Sequence, residues 1–198
     1  MNLNYKCFFI IFIIKYIMKK IIVVLGLPCS GKDTHAKLLA NKLNYKYCSS
    51  NDIIAEEIKN KTKIGLIMEK YLNSRTSAPD EYLIMLIKEI IINLKEDGII
   101  FNNFPQTVNQ AKALDSFLFT KKTNRPIPIF LEADLVTILN RVTEKLESKE
   151  VDSFKNTMNF YEKKTKPIID YYTAIMSKFD TSKDSIDKIN EEIMQKIK

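Results

Sequence analysis

The sequence predicts an α/β fold of three layers, in which a five-stranded parallel sheet carries helices on both faces. Short apolar runs alternate along the chain with longer segments of helical periodicity, as expected when strands are buried on both sides. The chain has 198 residues, of which 45% are hydrophobic and 28% are charged. This length and composition fit one globular domain with a substantial core.

The strands are predicted at apolar runs bounded by turn residues, namely 20–25, 45–48, 98–102, 127–131 and 177–180. A helix is predicted from about Lys32, and another from Pro79, because proline needs no N–H partner in a first helical turn. Further helical periodicity covers 107–119, 134–146, 152–174 and 184–197. Pro167 is expected to interrupt the third of these four segments.

Residues 51–73 form a predicted insertion of two helices with no strand between them. In an open α/β sheet, ligands bind beyond the carboxyl ends of the strands. An insertion at this place would lie beside the loop that follows the first strand, where it could hold a second substrate.

The loop after the first strand reads Gly-Leu-Pro-Cys-Ser-Gly-Lys-Asp-Thr from Gly26 to Thr34. A strand, a glycine-bounded loop with lysine and a helix together form the phosphate-binding P-loop arrangement. Backbone N–H groups can surround an anion, and the positive helix end faces it. The residues predicted to bind phosphate are Gly26, Pro28, Cys29, Ser30, Gly31, Lys32, Asp33 and Thr34.

The first 18 residues are predicted to be an apolar extension of a domain that spans 19–198. An apolar octet begins at Cys7 between two lysines and is too short to span a bilayer as a helix. Three interpretations stay open: a weak targeting or membrane-association segment, a disordered tail, or translated sequence upstream of a start at Met18. We expect a cytoplasmic protein, with organellar targeting as the alternative.

Charge and cysteine content narrow the classes of partner. Lysine and arginine number 31 against 24 acidic residues, which gives a net charge of +7. The lysines are scattered and arginines are few, which indicates a solvated surface rather than nucleic-acid binding. The three cysteines lack metal or redox spacing and are expected to be reduced thiols.

His35, the single histidine, is expected to be a surface or cap residue rather than a general base.

The loop and four later segments resemble the nucleoside monophosphate kinases, specifically the adenylate kinase and UMP/CMP kinase family. The loop is similar to the family's GxPGxGKGT, and residues 98–111 are similar to its GfxxDGFPRTxxQA. The other matching segments lie at 49–55, 79–81 and 161–172, in family order. The resemblance implies transfer of a phosphoryl group from ATP, as its Mg²⁺ complex, to a nucleoside monophosphate such as AMP.

By this resemblance, Lys32 and Arg141 would supply the catalytic charges. Mg²⁺ would have no direct protein ligand and would be reached from Thr34 and Asn102 through water. The monophosphate would be held by Ser50, Asn51, Gln106 and Gln110. The Gln110 amide would read the base edge, because it offers a donor and an acceptor together. We expect a monomer that binds small-molecule nucleotides, with no nucleic acid and no stable membrane span.

Several family features are replaced in this chain. Phosphoryl transfer depends on positioning and on neutralising charge, which arginines do through two-point contacts. Family arginines are replaced by Ala55, Gln106 and Thr157, and the predicted lid, about 142–151, is short and lacks the Arg-x-Asp-Asp element. Asn102 replaces the family carboxylate that orients Mg²⁺ through water. Cys29 and Asp33 replace glycines of the family loop. Positive charge could instead be supplied to the cleft by Lys145, Lys149, Lys155 and Arg75.

Two functions therefore stay open at this point. The first is a nucleoside monophosphate kinase of low activity. The second is a nucleotide-binding pseudo-enzyme that acts as a regulatory or interaction protein. A kinase for a different small acceptor is a third, because the usual clamp on the acceptor phosphate is absent at Ala55.

Overall fold

The computed structural model of the chain describes residues 19–143 and 161–197. The strands are β1 Lys20–Gly26, β2 Lys46–Ser49, β3 Gly98–Asn102, β4 Ile127–Glu132 and β5 Ser177–Asp180. The helices are α1 Lys32–Leu43, α2 Ser50–Lys59, α3 Lys63–Asn73, α4 Asp80–Ile92, α5 Val108–Thr120, α6 Leu135–Thr143, α7 Lys166–Tyr172 and α8 Ile186–Ile197. A π-helical turn, Tyr161–Thr165, precedes α7.

The five strands form one parallel sheet in the order β2-β3-β1-β4-β5. Strand β1 is central, and Val24 near its carboxyl end pairs with Asn102 of β3 and Ile129 of β4. This arrangement confirms the predicted α/β fold with a five-stranded parallel sheet between helical layers. Because β1 is central, the loop that follows it lies in the middle of the carboxyl edge of the sheet.

Alternation along β1 builds the two halves of the core. Ile21, Val23 and Leu25 belong to a cluster with apolar residues of α4, α5 and α7. Ile22 and Val24 pack on the other face with α1 and α8. Successive side chains of a strand point to opposite faces, so a continuous apolar run is what a doubly covered strand requires. Each of these fully buried side chains stabilises the fold by about 1.5–3 kcal/mol.

The last helix ties the end of the domain to its beginning. The Lys42 ammonium of α1 pairs with the Asp187 carboxylate of α8 at 2.9 Å. At the other end of α8, Lys20 Nζ donates a hydrogen bond to Ile197 O at 2.8 Å. The helix therefore packs along α1 and reaches the first residue of β1.

Helix ends follow the sequence signals closely. Helix α5 begins after Thr107, whose Oγ1 accepts a hydrogen bond from the Gln110 N–H at 3.1 Å, and α4 begins directly after Pro79. Near Pro167, the chain changes from the π-helical turn to α7, in keeping with the expected interruption. None of the described helices is long and apolar enough to cross a membrane.

Some predicted features lie outside the described residues. These are the extension 1–18, residues 144–151 of the predicted lid, and Lys145, Lys149, Lys155 and Thr157.

Candidate active site

The phosphate loop depends on two glycines that no other residue can replace without strain. A Cβ at Gly26 would lie 2.3 Å from Leu131 O of β4, because Gly26 is the last residue of β1 and pairs with Leu131 in the sheet. Gly31 has a φ of 85° and precedes α1, a left-handed conformation that glycine adopts without a steric penalty. These constraints fix the loop over the first turn of α1.

Lys32 closes the loop from the inside. Its Nζ donates a hydrogen bond to Leu27 O at 2.7 Å. Burial lowers the pKa of the Lys32 ammonium, and the neighbouring Asp33 carboxylate offsets only part of this decrease. The ammonium is thus held over the loop by a carbonyl oxygen, where a phosphate oxygen could accept the same hydrogen bond.

Arg141 lies against the same loop although it is far away in the sequence. Its guanidinium donates to Cys29 O at 3.2 Å, to Thr181 Oγ1 at 3.2 Å and to Thr181 O at 2.7 Å. Thr181 Oγ1 in turn donates to Ser30 O at 3.1 Å. The structure therefore brings a second cation to the loop, supported by the residue that follows β5.

A polar pair lies beside the loop at the end of β3. Asn102 is fully buried, and its Nδ2 donates to Asp33 Oδ1 and, at 3.1 Å, to the Tyr47 hydroxyl. Asn102 Oδ1 has no hydrogen-bond partner within residues 19–143 and 161–197. Carboxylate and amide oxygens are ligands that Mg²⁺ accepts, directly or through water. The Asp33 and Asn102 side chains therefore fit a Mg²⁺ ion, and Thr34, like Asp33, is exposed on the first turn of α1.

A cavity of about 420 Å³ lies on the α2–α4 side of the loop. Its apolar wall includes Ile54 and Met68, and its polar wall includes Gln106 and Gln110. Lys164 contributes a cation at the rim. The volume and the mixture of apolar walls with a few polar groups are typical of small-molecule sites.

Comparison with known proteins shows the family to which this sequence is similar. The family model described as "Adenylate kinase" matches residues 24–177. An adenylate kinase of Flavobacterium psychrophilum is 34% identical over 158 residues, which cover 76% of this chain and 83% of the relative. An adenylate kinase of Azobacteroides pseudotrichonymphae is 31% identical over 181 residues, which cover 88% and 95%. The chain belongs to the adenylate kinase family. This family consists of phosphotransferases of the nucleoside monophosphate kinase type.

Of the four residues expected to hold the monophosphate, Ser50, Gln106 and Gln110 are connected by hydrogen bonds. Gln110 is buried, its Nε2 donates to Asp80 Oδ1 at 2.6 Å, and its Oε1 accepts from the Gln106 N–H at 2.7 Å. Gln106 Nε2 donates to Ser50 Oγ at 3.1 Å. Asn51 is exposed and is not part of the cavity wall. The Gln110 amide is therefore held by protein groups and keeps one N–H and one lone pair for a ligand.

Sequence reasoning missed three contributors to the candidate site. Asp80 belongs to the matching segment 79–81 and was given no role in the site, yet it accepts a hydrogen bond from Gln110 Nε2 and another, at 2.7 Å, from Thr107 Oγ1. Thr181 links Arg141 to the loop, and Lys164 lines the cavity. No local sequence signal distinguishes Lys164 from the other lysines of the chain. Its position at the cavity depends on how the π-helical turn and α7 pack against the domain.

The prediction that His35 is a surface or cap residue was wrong. The side chain is buried, and its Nδ1 lies 2.8 Å from Asn190 Oδ1 of α8. His35 shares the inward face of α1 with Ala36 and Leu39, because residues three and four apart lie on one side of a helix. Burial lowers the pKa of His35, the Asn190 hydrogen bond raises it in opposition, and the Arg141 charge lowers it further.

This lowered pKa predicts a pH-dependent stability. The unfolded chain binds a proton near the ordinary value of 6.5, whereas the folded imidazole stays neutral to a lower pH. Within that window the unfolded state binds more protons, so the free energy of unfolding falls as pH drops below about 6.5. Urea denaturation from pH 8 to 5 should show this loss, and the His35→Asn variant should lose less. Parallel curves for the two proteins would contradict the assignment.

Proposed function

We propose that this protein transfers the γ-phosphoryl group of ATP, bound with Mg²⁺, to a nucleoside monophosphate such as AMP, at a low rate. The observation that carries the proposal is the presence of two sites: a phosphate loop after β1 that Lys32 and Arg141 both contact, and a separate cavity whose wall includes Gln106, which follows the neighbouring strand β3. A nucleotide-binding protein without transfer needs the first site, whereas a kinase needs a second site for its acceptor.

On the donor side, the loop amides and the N-terminus of α1 would hold the phosphates of ATP. Lys32 would exchange the Leu27 carbonyl for a phosphate oxygen, and the Arg141 guanidinium would neutralise charge that spreads over the migrating group. Mg²⁺, when bound with ATP, would supply positive charge that offsets the charge of the phosphates. Thr34 on the first turn of α1 and Asn102 at the end of β3 would hold the ion through water.

On the acceptor side, the cavity would receive the monophosphate between α2, α3 and α4. Gln106 and Gln110 would present polar groups to it, and Lys164 would face its phosphate. The family arginine positions at Ala55 and Gln106 carry no charge, so the acceptor phosphate would be held by fewer two-point contacts. This is the physical reason for expecting a low rate.

The second candidate is a nucleotide-binding pseudo-enzyme. It is favoured by the absence of a positive charge at Gln106, a family arginine position. This neutral side chain lies in the cavity wall and is occupied by Ser50 Oγ. A protein of this kind would bind ATP on the loop and would act through a surface rather than through turnover. That the protein is a monomer and cytoplasmic also stays a prediction.

The two candidates separate in an experiment that measures binding and turnover on the same protein. Cys29 is exposed in the loop, whereas Cys48 is buried and burial raises its pKa to about 12, so maleimide should label Cys29. In the Cys7→Ser variant, ATP should slow this labelling, and ADP release should follow addition of AMP, UMP, CMP or dAMP. Protection without turnover for any acceptor would favour the pseudo-enzyme. Neither protection nor turnover would overturn both.

The acceptor side makes a separate prediction at Lys164. The Lys164→Met variant should raise the KM for the monophosphate by roughly tenfold, the lower end for a charge-assisted contact of an exposed group. The KM for ATP should stay unchanged. Lys163→Met is the matched control, because Lys163 is an exposed neighbour that is not part of the cavity wall. Equal effects of the two substitutions would contradict the role of Lys164.

A further inference from the structure

The Asp33 carboxylate and the Asn102 amide meet at the edge of the phosphate loop. Asp33 follows Lys32 in the first turn of α1, and Asn102 is the last residue of β3. The pairing of Val24 with Asn102 places the end of β3 beside the start of the loop. In the fold, the Asn102 amide donates to Asp33 Oδ1, although 69 positions separate the two residues in the sequence.

The orientation of the Asn102 amide leaves one buried oxygen unpaired. Its Nδ2 is used by Asp33 and by the Tyr47 hydroxyl, and both are reached from the same side-chain nitrogen. Asn102 Oδ1 is then available only as an acceptor, and it has no partner in the part of the chain that the structure describes. A buried polar atom without a partner in a native fold points to a water or an ion at that place.

The chemistry of this pair matches one ligand. Mg²⁺ prefers hard oxygen ligands, keeps several waters and is usually bound by one or two carboxylates together with substrate phosphates. The described residues hold no group of three His, Cys, Asp or Glu side chains that could retain a metal alone. We infer that Asp33 and Asn102 bind, through water, the Mg²⁺ ion of the ATP held on the loop. The inference rests on the nucleotide-binding part of the proposed function and not on turnover.

A simpler role for Asp33 makes a different prediction. An acidic residue in a first helical turn stabilises the helix by facing its positive end. In that case the carboxylate would oppose ATP binding by repulsion whether or not Mg²⁺ is present. If Asp33 binds the metal, its effect changes sign: it hinders ATP in the absence of Mg²⁺ and favours ATP in its presence.

Calorimetric titration with the non-hydrolysable β,γ-imido analogue of ATP tests this change of sign. Each protein is titrated once in EDTA and once with excess Mg²⁺. In Asp33→Asn, affinity should rise in EDTA and fall with Mg²⁺, each by roughly tenfold, the effect of one charge-assisted contact. The Asp33→Asn, Asn102→Asp double variant moves the carboxylate to the other member of the pair and should restore the preference for Mg²⁺. Asp52→Asn, which removes an exposed first-turn acid of α2, is the control and should change neither affinity.

A direct metal readout accompanies the titrations. Mn²⁺ electron paramagnetic resonance, with the same analogue bound, should show roughly tenfold weaker Mn²⁺ binding in Asp33→Asn and recovery in the double variant. An Asp33→Asn protein that keeps the wild-type ratio of affinities and the wild-type Mn²⁺ binding would overturn the inference alone. A wild-type protein that binds the analogue in neither buffer would overturn the proposed function as well.

Discussion

Replacement of Lys32 by methionine is expected to lower kcat/KM for ATP on the order of 10²–10³-fold, as loss of one preorganised donor to a developing charge does elsewhere. Methionine keeps the length of the side chain and removes the ammonium that reaches over the loop to Leu27 O. Initial rates of ADP release at several ATP concentrations would measure the change.

Lys42→Met is the matched control for this experiment. Lys42 lies at the other end of α1, where its ammonium pairs with the exposed Asp187, so its loss should leave both stability and activity nearly unchanged. If Lys32→Met and Lys42→Met had similar rates, the loop would not be the donor site.

Return of arginine to positions 55 and 106 is expected to raise kcat/KM for AMP. A charge-assisted hydrogen bond contributes about 1.5–3 kcal/mol, so each new contact should give roughly a 10- to 150-fold increase. Gln106 lies in the cavity wall, and Ala55 follows the wall residue Ile54 on α2. The Ala55→Arg, Gln106→Arg double variant should therefore gain more than either single variant.

Two control variants separate charge from size. Ala55→Met and Gln106→Met have side chains long enough to fill space but offer no donor to a phosphate. Gln106→Met also loses the hydrogen bond that Gln106 Nε2 donates to Ser50 Oγ, whereas an arginine can still donate there, so the comparison at this position includes the cost of that bond. If arginine and methionine variants behaved alike, the acceptor phosphate would lie elsewhere than proposed.

The sheet was predictable because the burial pattern of each strand is set by residues that are neighbours in the sequence. A run such as Ile21–Leu25 has to be buried on both faces, and five runs of this kind with helices between them leave few alternatives to a parallel sheet. The strand order was not predicted, since it depends on how helices pack on the sheet. The phosphate loop was found for a similar reason, because its glycines, lysine and flanking elements are neighbours in sequence.

The remainder of the site depends on residues distant in sequence. The contact between Asp33 and Asn102 requires the register of β1 with β3, and that between Arg141 and Thr181 requires β5 to lie beside β4. Seen in the sequence alone, Asp33 and Asn102 looked like two separate losses from the family pattern. The burial of His35 could have been predicted from the spacing of Ala36 and Leu39 on α1. Its partner on α8 could not.

The hydrogen bond between Lys20 and Ile197 has a practical consequence for protein engineering. The two ends of the folded domain lie within the reach of one lysine side chain, so a short linker could join them and new termini could be opened elsewhere. The turn between α5 and β4, at 121–126, is a suitable place because most of its residues are exposed and it lies on the amino edge of the sheet, opposite the phosphate loop. Such a circular permutant would have both termini at the edge of the sheet opposite the phosphate loop, where they could be attached to a surface.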